Sequence, residues 1–113
     1  MRQTMPSERN SVTRKMRIGD FKGYATLGYF EDGRPGELFF TLHKAGSVEH
    51  GMCHALGLVI SLALQSGVPL SSIANKLTGL QFEPRGFTGA TDIPLVTSIA
   101  DYLGKWLSSK ELT

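Results

Sequence analysis

The sequence predicts an α+β fold, in which a three-stranded antiparallel β-meander is followed by three helices packed on one sheet face. Two observations carry this prediction. The spacing of apolar residues changes near residue 47, from alternation to intervals of three and four. Glycine-containing turns separate the earlier segments closely enough for hairpins. The chain has 113 residues, 41% of them hydrophobic, which suits one globular domain, expected over residues 13–110.

Extended segments ended by turns predict the meander. Turn signals stand at residues 19–23 and 31–36, the second with Asp-Gly and Pro-Gly pairs. In the last segment Leu38, Phe40 and Leu42 fall on one face, which predicts that this face is buried. The predicted strands cover residues 13–18, 24–30 and 37–43.

A long helix is predicted from Val48 to Gln65. Ser47 is a favourable N-cap, Glu49 suits the positive end of the helix dipole, and Gly67 suits the position after the last turn. The second half is apolar nearly all round, which is typical of a helix buried on several sides. The predicted buried face consists of Val48, Met52, Ala55, Leu56, Val59 and Ala63.

Two shorter helices complete the predicted order. One covers about 68–77, and the last starts near Asp92, with Pro94 in its first turn, where a missing N–H has no consequence. On this last helix Asp101 and Lys105 are expected to form an exposed pair four residues apart. Its predicted buried face consists of Ile93, Val96, Ile99, Ala100, Leu103 and Leu107.

Charge is concentrated at the N-terminus. Residues 1–22 carry six basic and two acidic side chains, whereas the whole chain has a net charge of +2. We expect residues 1–12 to form a flexible basic arm. It lacks the interleaved aromatic residues that stack on bases, so nucleic-acid binding is not expected. Neither a secretory signal nor a membrane span is recognisable, which favours the cytoplasm.

Catalytic and metal-binding patterns are weak. The only cysteine, Cys53, excludes an intramolecular disulfide and a redox Cys-x-x-Cys pair. His50 and His54 share a helix face beside Cys53, and His43 is a conceivable third ligand. These residues are weak candidates for a metal site, and no metal is expected. Surface histidines around a buried thiol are the simpler interpretation.

Two segments suit an anion such as a nucleotide phosphate. Lys44, Gly46 and Ser47 join a strand to a helix N-terminus, where backbone N–H groups and the helix dipole favour negative charge. The loop 82–89 contains Arg85, which can hold a phosphate, and Thr88. Phe82 or Phe87 is a candidate for stacking on a base, both are candidates for anchoring the loop in the core, and the two interpretations are compatible. The candidate nucleotide-binding or anion-binding residues are Lys44, Gly46, Ser47, Arg85 and Thr88.

Several ordered segments resemble a known family. They cover 23–37, 44–47, 60–70, 82–89, 92–94 and 98–102, and the resemblance spans about 11–107. The sequence is similar to the TSCPD domain near the C-terminus of adenosylcobalamin-dependent (class II) ribonucleotide reductases. The Thr-Ser-Cys-Pro-Asp string that names the family is absent here. We expect the chain to be this domain as a stand-alone unit.

The resemblance implies deoxyribonucleotide synthesis without implying catalysis by this chain. Class II reductases use a cysteine thiyl radical and a redox-active cysteine pair within a large barrel domain, and this chain has neither the pair nor the length for the barrel. Adenosylcobalamin is therefore expected only in a partner reductase, with no cofactor bound by this chain. Whether the chain has any enzymatic activity stays open.

Two functions follow as hypotheses. In the first, the chain is a non-catalytic accessory module that docks on a ribonucleoside-diphosphate reductase catalytic subunit or binds its nucleotide. In the second, it is a free-standing and conceivably phage-encoded protein that sequesters a nucleotide or a nucleotide-derived signal. A pocket for such a ligand favours a homo-oligomer, because one small chain offers little concavity.

Overall fold

A computed structural model describes residues 2–42 and 47–110 of the chain. The three-stranded antiparallel sheet followed by three helices confirms the predicted α+β class. A short ladder formed by β4 and β5 was not predicted. In chain order the elements are β1 (Ser11–Ile18), β2 (Phe21–Tyr29), β3 (Pro35–Leu42), α1 (Val48–Gln65), α2 (Leu70–Leu77), β4 (Gly86–Phe87), β5 (Leu95–Val96) and α3 (Ile99–Ser109).

The chain divides into two compact units. The first comprises residues 1–15 and 23–68 and contains α1, and the second comprises residues 16–22 and 69–113 and contains α2 and α3. The single domain expected over 13–110 stays a prediction, as does the packing of α2 and α3 on the sheet. Among the described residues, no helix is both long enough and apolar enough to cross a membrane.

Pairing between β2 and β3 determines which side chains enter the core of the first unit. Ala25 lies opposite Phe40 and Leu27 lies opposite Leu38, and all four side chains are buried. Phe39, at an alternate position, is exposed. Successive side chains of a strand point to opposite faces, so the burial predicted for one face of β3 is confirmed.

Helix α1 packs closely along the open edge of β3. The hydroxyl of Ser61 accepts a hydrogen bond from the backbone N–H of Leu38 at 2.8 Å and lies 3.1 Å from the Leu38 carbonyl, to which it can donate. A Cβ atom placed on Gly57 would lie only 2.8 Å from the same carbonyl and 3.3 Å from the Phe40 nitrogen. The helix therefore approaches this edge so closely that only glycine fits at residue 57.

Both ends of α1 also contact the β3 edge. The Gln65 side-chain amide donates to the Gly36 carbonyl at 2.9 Å, and Nδ1 of His50 accepts from the N–H of Leu42 at 3.1 Å. An exposed strand edge offers unpaired backbone groups to other chains, and proteins commonly cover such edges. α1 thus takes the place of a neighbouring strand.

The bounds of α1 match the prediction, but its predicted buried face is wrong. Ser47 caps the helix by accepting from the N–H of His50 at 3.0 Å, and Gly67 follows the end with φ +96°. The predicted positions Val48, Met52 and Val59 are exposed. Small side chains set the orientation of this helix, because only they allow the close approach to β3. The buried residues are Cys53, Gly57, Ile60, Leu64 and Gln65.

In the second unit, α3 begins later than predicted. The helix starts at Ile99, so the predicted start near Asp92 is wrong. Ser98 is the cap, and its hydroxyl accepts from the N–H of Asp101 at 2.9 Å. α2 and α3 pack closely, since a Cβ on Gly104 would lie 2.6 Å from the Thr78 nitrogen. The six residues predicted to be buried are buried, although two of them precede the helix.

Candidate functional site

A loop and a hairpin in the second unit are held in place by one buried carboxylate. Asp101 is only 1% exposed and accepts from the N–H of Gly79 at 2.8 Å and from that of Thr97 at 2.9 Å. Lys105 lies 3.0 Å from the same carboxylate, so the predicted pair exists but is not exposed on the Asp101 side. The hydroxyl of Ser98 also donates to the Leu80 carbonyl at 2.7 Å.

The electrostatics of Asp101 follow from these contacts. Burial raises the pKa of this carboxyl, but the backbone N–H donors of Thr97 and Gly79 and the ammonium of Lys105 outweigh burial. Its pKa consequently lies below the ordinary aspartate value. Asp101 is therefore a structural anion whose charge fixes both ends of the segment that carries the hairpin.

The segment presents apolar side chains to solvent. Phe87 is 78% exposed and lies directly opposite Leu95 in the β4–β5 pairing, so the two side chains share one face. We call Phe87 and Leu95 the hairpin patch. Phe82 is also about half exposed, which excludes the interpretation that both phenylalanines anchor the loop in the core. Aromatic residues are enriched at protein interfaces, so the exposed Phe87 makes the hairpin patch a candidate contact surface.

Arg85 and Thr88 flank the hairpin patch and differ in accessibility. Arg85 is half exposed and lies 3.3 Å from the exposed carboxylate of Glu83, an ion pair that water and salt weaken. Thr88 is buried, its hydroxyl donates to the Ile93 carbonyl, and it accepts from the N–H of Ala90 at 3.1 Å. Thr88 thus stabilises the turn, whereas Arg85 can reach a ligand.

The other predicted anion-binding residues, Lys44, Gly46 and Ser47, stand between β3 and α1 in the sequence. Lys44 and Gly46 lie outside the described residues, as does His43. Ser47 is half-buried and caps α1. Anion or nucleotide binding by Lys44, Gly46, Ser47, Arg85 and Thr88 therefore stays a prediction.

A second apolar surface runs along the outer side of α1. Val48 is 78%, Met52 67% and Val59 63% exposed, and Ala55 and Leu62 are exposed between and beyond them. We call these five residues the α1 seam. Their spacing of four, three, four and three residues is that of a coiled-coil heptad. The other side of the helix covers the β3 edge, whereas the seam is exposed among the described residues, as an apolar surface used by a partner would be.

Comparison with known proteins identifies the family. The family model of the TSCPD domain matches residues 2–110. The chain belongs to the TSCPD domain family. It is 42% identical over 106 residues to the vitamin B12-dependent ribonucleotide reductase of Rhodopirellula baltica, covering 94% of this chain and 10% of that protein. The reductases of Streptantibioticus cattleyicolor and Agrobacterium fabrum are 35% and 39% identical, with 18% and 8% of their lengths covered.

These matches place the TSCPD domain within much larger proteins. The chain spans about one-tenth of the length of the Rhodopirellula baltica relative, and less than one-fifth of the other two. No solved structure shows significant similarity to it. The similarity thus identifies the domain.

Cys53, His50 and His54 of α1 differ in their burial and in their hydrogen bonds. Cys53 is buried, and burial together with the nearby Glu49 charge raises the pKa of its thiol to about 11. Nδ1 of His50 is engaged with the backbone of Leu42, whereas His54 is exposed. Over residues 2–42 and 47–110, no three His, Cys, Asp or Glu side chains are grouped as metal ligands.

The N-terminal arm of the TSCPD domain has specific partners. The Nε of Arg2 donates to the Gln65 side chain at 2.7 Å, and the Gln3 N–H donates to the Gln65 carbonyl at 2.7 Å. Arg9 forms an ion pair with the buried carboxylate of Glu37. The expected mobility of residues 1–12 stays a prediction, but basic side chains of the arm serve contacts within the first unit.

Proposed function

We propose that this chain is a non-catalytic accessory module that docks on the catalytic chain of a vitamin B12-dependent ribonucleotide reductase. The near full-length match to a domain found within such reductases carries the proposal. In these reductases the TSCPD domain is covalently joined to the rest of the enzyme. The rest of the enzyme is therefore expected to have a surface complementary to the domain. Adenosylcobalamin belongs to that partner in this proposal, and the cytoplasm is the compartment.

The hairpin patch is the surface we assign to this docking. Phe87 combines a large apolar area with few rotatable bonds, so its burial costs little side-chain entropy. Asp101 and Ser98 fix the loop before binding, which removes the further cost of ordering it. Arg85 beside the patch offers a charged contact at its rim.

In this proposal the chain is non-catalytic because its only cysteine is unsuited to radical or disulfide chemistry. Radical and disulfide chemistry need an accessible thiol, and disulfide chemistry needs a second one. Cys53 is buried as a thiol against the β3 side of α1, and the sequence contains no other cysteine.

Isothermal titration calorimetry tests the docking. The chain is titrated into the Rhodopirellula baltica reductase from which the segment matching this chain has been deleted. We expect saturable binding, and Phe87→Ala is expected to weaken it by about 10-fold to 30-fold, the effect of removing an interface anchor worth about 1.4–2 kcal/mol. Phe39→Ala, which removes an exposed phenylalanine from the first unit, is the matched control and leaves the affinity unchanged.

Nucleotide binding is a second proposal, supported by Arg85 and Phe87. These residues are two positions apart and both accessible, so a guanidinium can pair with a phosphate while the ring stacks on a base. In this case the chain sequesters a nucleotide or a nucleotide-derived signal, as a phage-encoded protein could do. A nucleotide at 100 times its Kd raises the unfolding free energy by about 2.7 kcal/mol. Arg85→Ala is expected to abolish this stabilisation, and no stabilisation by any nucleotide would reject the proposal.

A further inference from the structure

We infer that the α1 seam is a self-association surface, on which a second copy of this chain places its own α1 in antiparallel orientation. The inference rests on the geometry of the first unit and needs no reductase. A heptad spacing selects a helix as the occupant, since side chains three and four residues apart form one stripe that another helix can interlock with. A strand or a loop matches no such spacing.

The seam is complementary to itself about Ala55. Val48 and Leu62 lie seven residues to either side of Ala55, about 10.5 Å along the helix axis in each direction. A twofold axis through Ala55 therefore brings Val48 of one copy beside Leu62 of the other. Met52 and Val59, three and four residues from Ala55, meet in the same way. The small side chain lies where the helices cross, which allows close approach between large pairs.

Charge favours the antiparallel over the parallel arrangement. Glu49 carries the only formal charge in α1. In a parallel pair the two Glu49 carboxylates and the two positive helix ends lie side by side. In the antiparallel pair the carboxylates are about 18 Å apart along the axis, beyond the screening length of about 8 Å at physiological salt. The helix dipoles then oppose each other favourably.

The size of the seam sets the strength of the dimer. From Val48 to Leu62 it extends about 21 Å and is about 10 Å wide, well below the roughly 800 Å² per partner of a standard interface. Leu58, exposed beside the seam, adds further apolar area. The dimer is therefore weak and reversible, and it forms at high protein concentration.

Sedimentation velocity between about 5 and 500 µM tests the association. We expect the average mass to rise from monomer towards dimer over this range. Met52→Lys/Val59→Lys places lysines against each other across the twofold axis and is expected to raise the dimer Kd at least about 100-fold. Ser7→Lys/Thr41→Lys adds the same charge at exposed positions off the seam and leaves the Kd unchanged. Circular dichroism checks that both variants fold.

Disulfide trapping tests the orientation. Val48→Cys and Leu62→Cys chains of different mass are mixed at high concentration in a glutathione redox buffer. The antiparallel pair predicts a mixed Val48→Cys–Leu62→Cys dimer and no dimer of Val48→Cys with itself. Cys53 is buried and does not compete. Self-linked Val48→Cys would overturn the antiparallel arrangement. A monomer at every concentration would overturn self-association. If the chain were monomeric and Met52→Lys/Val59→Lys weakened binding to the reductase, the seam would be a surface for the reductase and the inference would be wrong.

Discussion

Replacing either of two glycines of α1 by alanine should change the stability of the protein in opposite directions. In Gly51→Ala the new Cβ meets no atom within 4 Å, so only helix propensity changes. Alanine is favoured over glycine within a helix by about 1 kcal/mol, and we expect a stabilisation of about 0.5–1 kcal/mol. In Gly57→Ala the new Cβ would lie 2.8 Å from the Leu38 carbonyl oxygen, which is a backbone atom in a paired strand.

The Gly57→Ala clash outweighs the gain in helix propensity. Forcing an extra methyl group into a packed contact costs about 1–3 kcal/mol, and moving α1 away also lengthens the hydrogen bonds between Ser61 and Leu38. After subtraction of the propensity gain of about 0.5–1 kcal/mol, we expect a net destabilisation of up to about 2.5 kcal/mol. Because the propensity gain is common to both variants, their unfolding free energies should differ by the cost of the clash, about 1–3 kcal/mol.

Urea unfolding followed by far-ultraviolet circular dichroism measures this difference. Since 1 kcal/mol shifts Tm by about 4–8 °C in a domain of this size, thermal unfolding should separate the variants by roughly 4–24 °C. Gly51→Ala controls for the intrinsic effect of alanine in the same helix. If Gly57→Ala were as stable as Gly51→Ala, α1 could not lie against the β3 edge as described.

The other predictions concern Asp101 and Cys53. Asp101→Asn leaves the N–H of Gly79 or of Thr97 without its carboxylate acceptor and should lower the unfolding free energy by about 2 kcal/mol. Urea unfolding followed by Trp106 fluorescence measures this change, and an unchanged midpoint would contradict the role of Asp101. Because folding lowers the pKa of Asp101, its ionised carboxylate stabilises the folded protein above about pH 4, and this stabilisation is lost as the pH falls through the folded-state pKa. The asparagine variant should not show this loss. Cys53, with its thiol pKa raised to about 11, should be alkylated by iodoacetamide at pH 8 only as fast as the protein opens, and rapid alkylation of the folded protein would reject its burial.

Local signals made much of the first unit predictable. The cap Ser47 and the change of apolar spacing gave α1 its bounds, and alternation identified the buried face of β3. Which side of α1 is buried was not predictable from apolarity, because apolar residues surround its second half. The informative residues were the small ones: Gly57 and Ser61 mark the side that approaches the backbone of β3.

The start of α3 shows two competing local signals. Asp92 and Pro94 form a plausible helix start, but the chain there pairs as β5 instead. The decisive signal lay further on, where Ser98 precedes Asp101 by three residues in the manner of a capping motif. The buried role of Asp101 was not recognisable, since its partners Gly79 and Thr97 are backbone groups of other segments.

The candidate site was only partly predictable. The composition of the loop 82–89 drew attention to Arg85, whose side chain is accessible but whose binding role stays a prediction. The exposure of Phe87 argues against a role for this ring in anchoring the loop. Four of the five α1 seam residues, all except Leu62, were assigned to the core, because sequence alone does not distinguish an apolar face that is buried within one chain from one that is left for a partner.

An NMR titration of the isotope-labelled chain with the deleted Rhodopirellula baltica reductase tests the central claim most directly. Docking through the hairpin patch predicts that amide signals of Gly86–Phe87 and Leu95–Val96 shift or broaden first, while those of the outward strand position Phe39 do not. Unchanged spectra at saturating reductase would contradict the accessory-module proposal. Signal changes confined to the first unit would support docking but contradict its assignment to the hairpin patch.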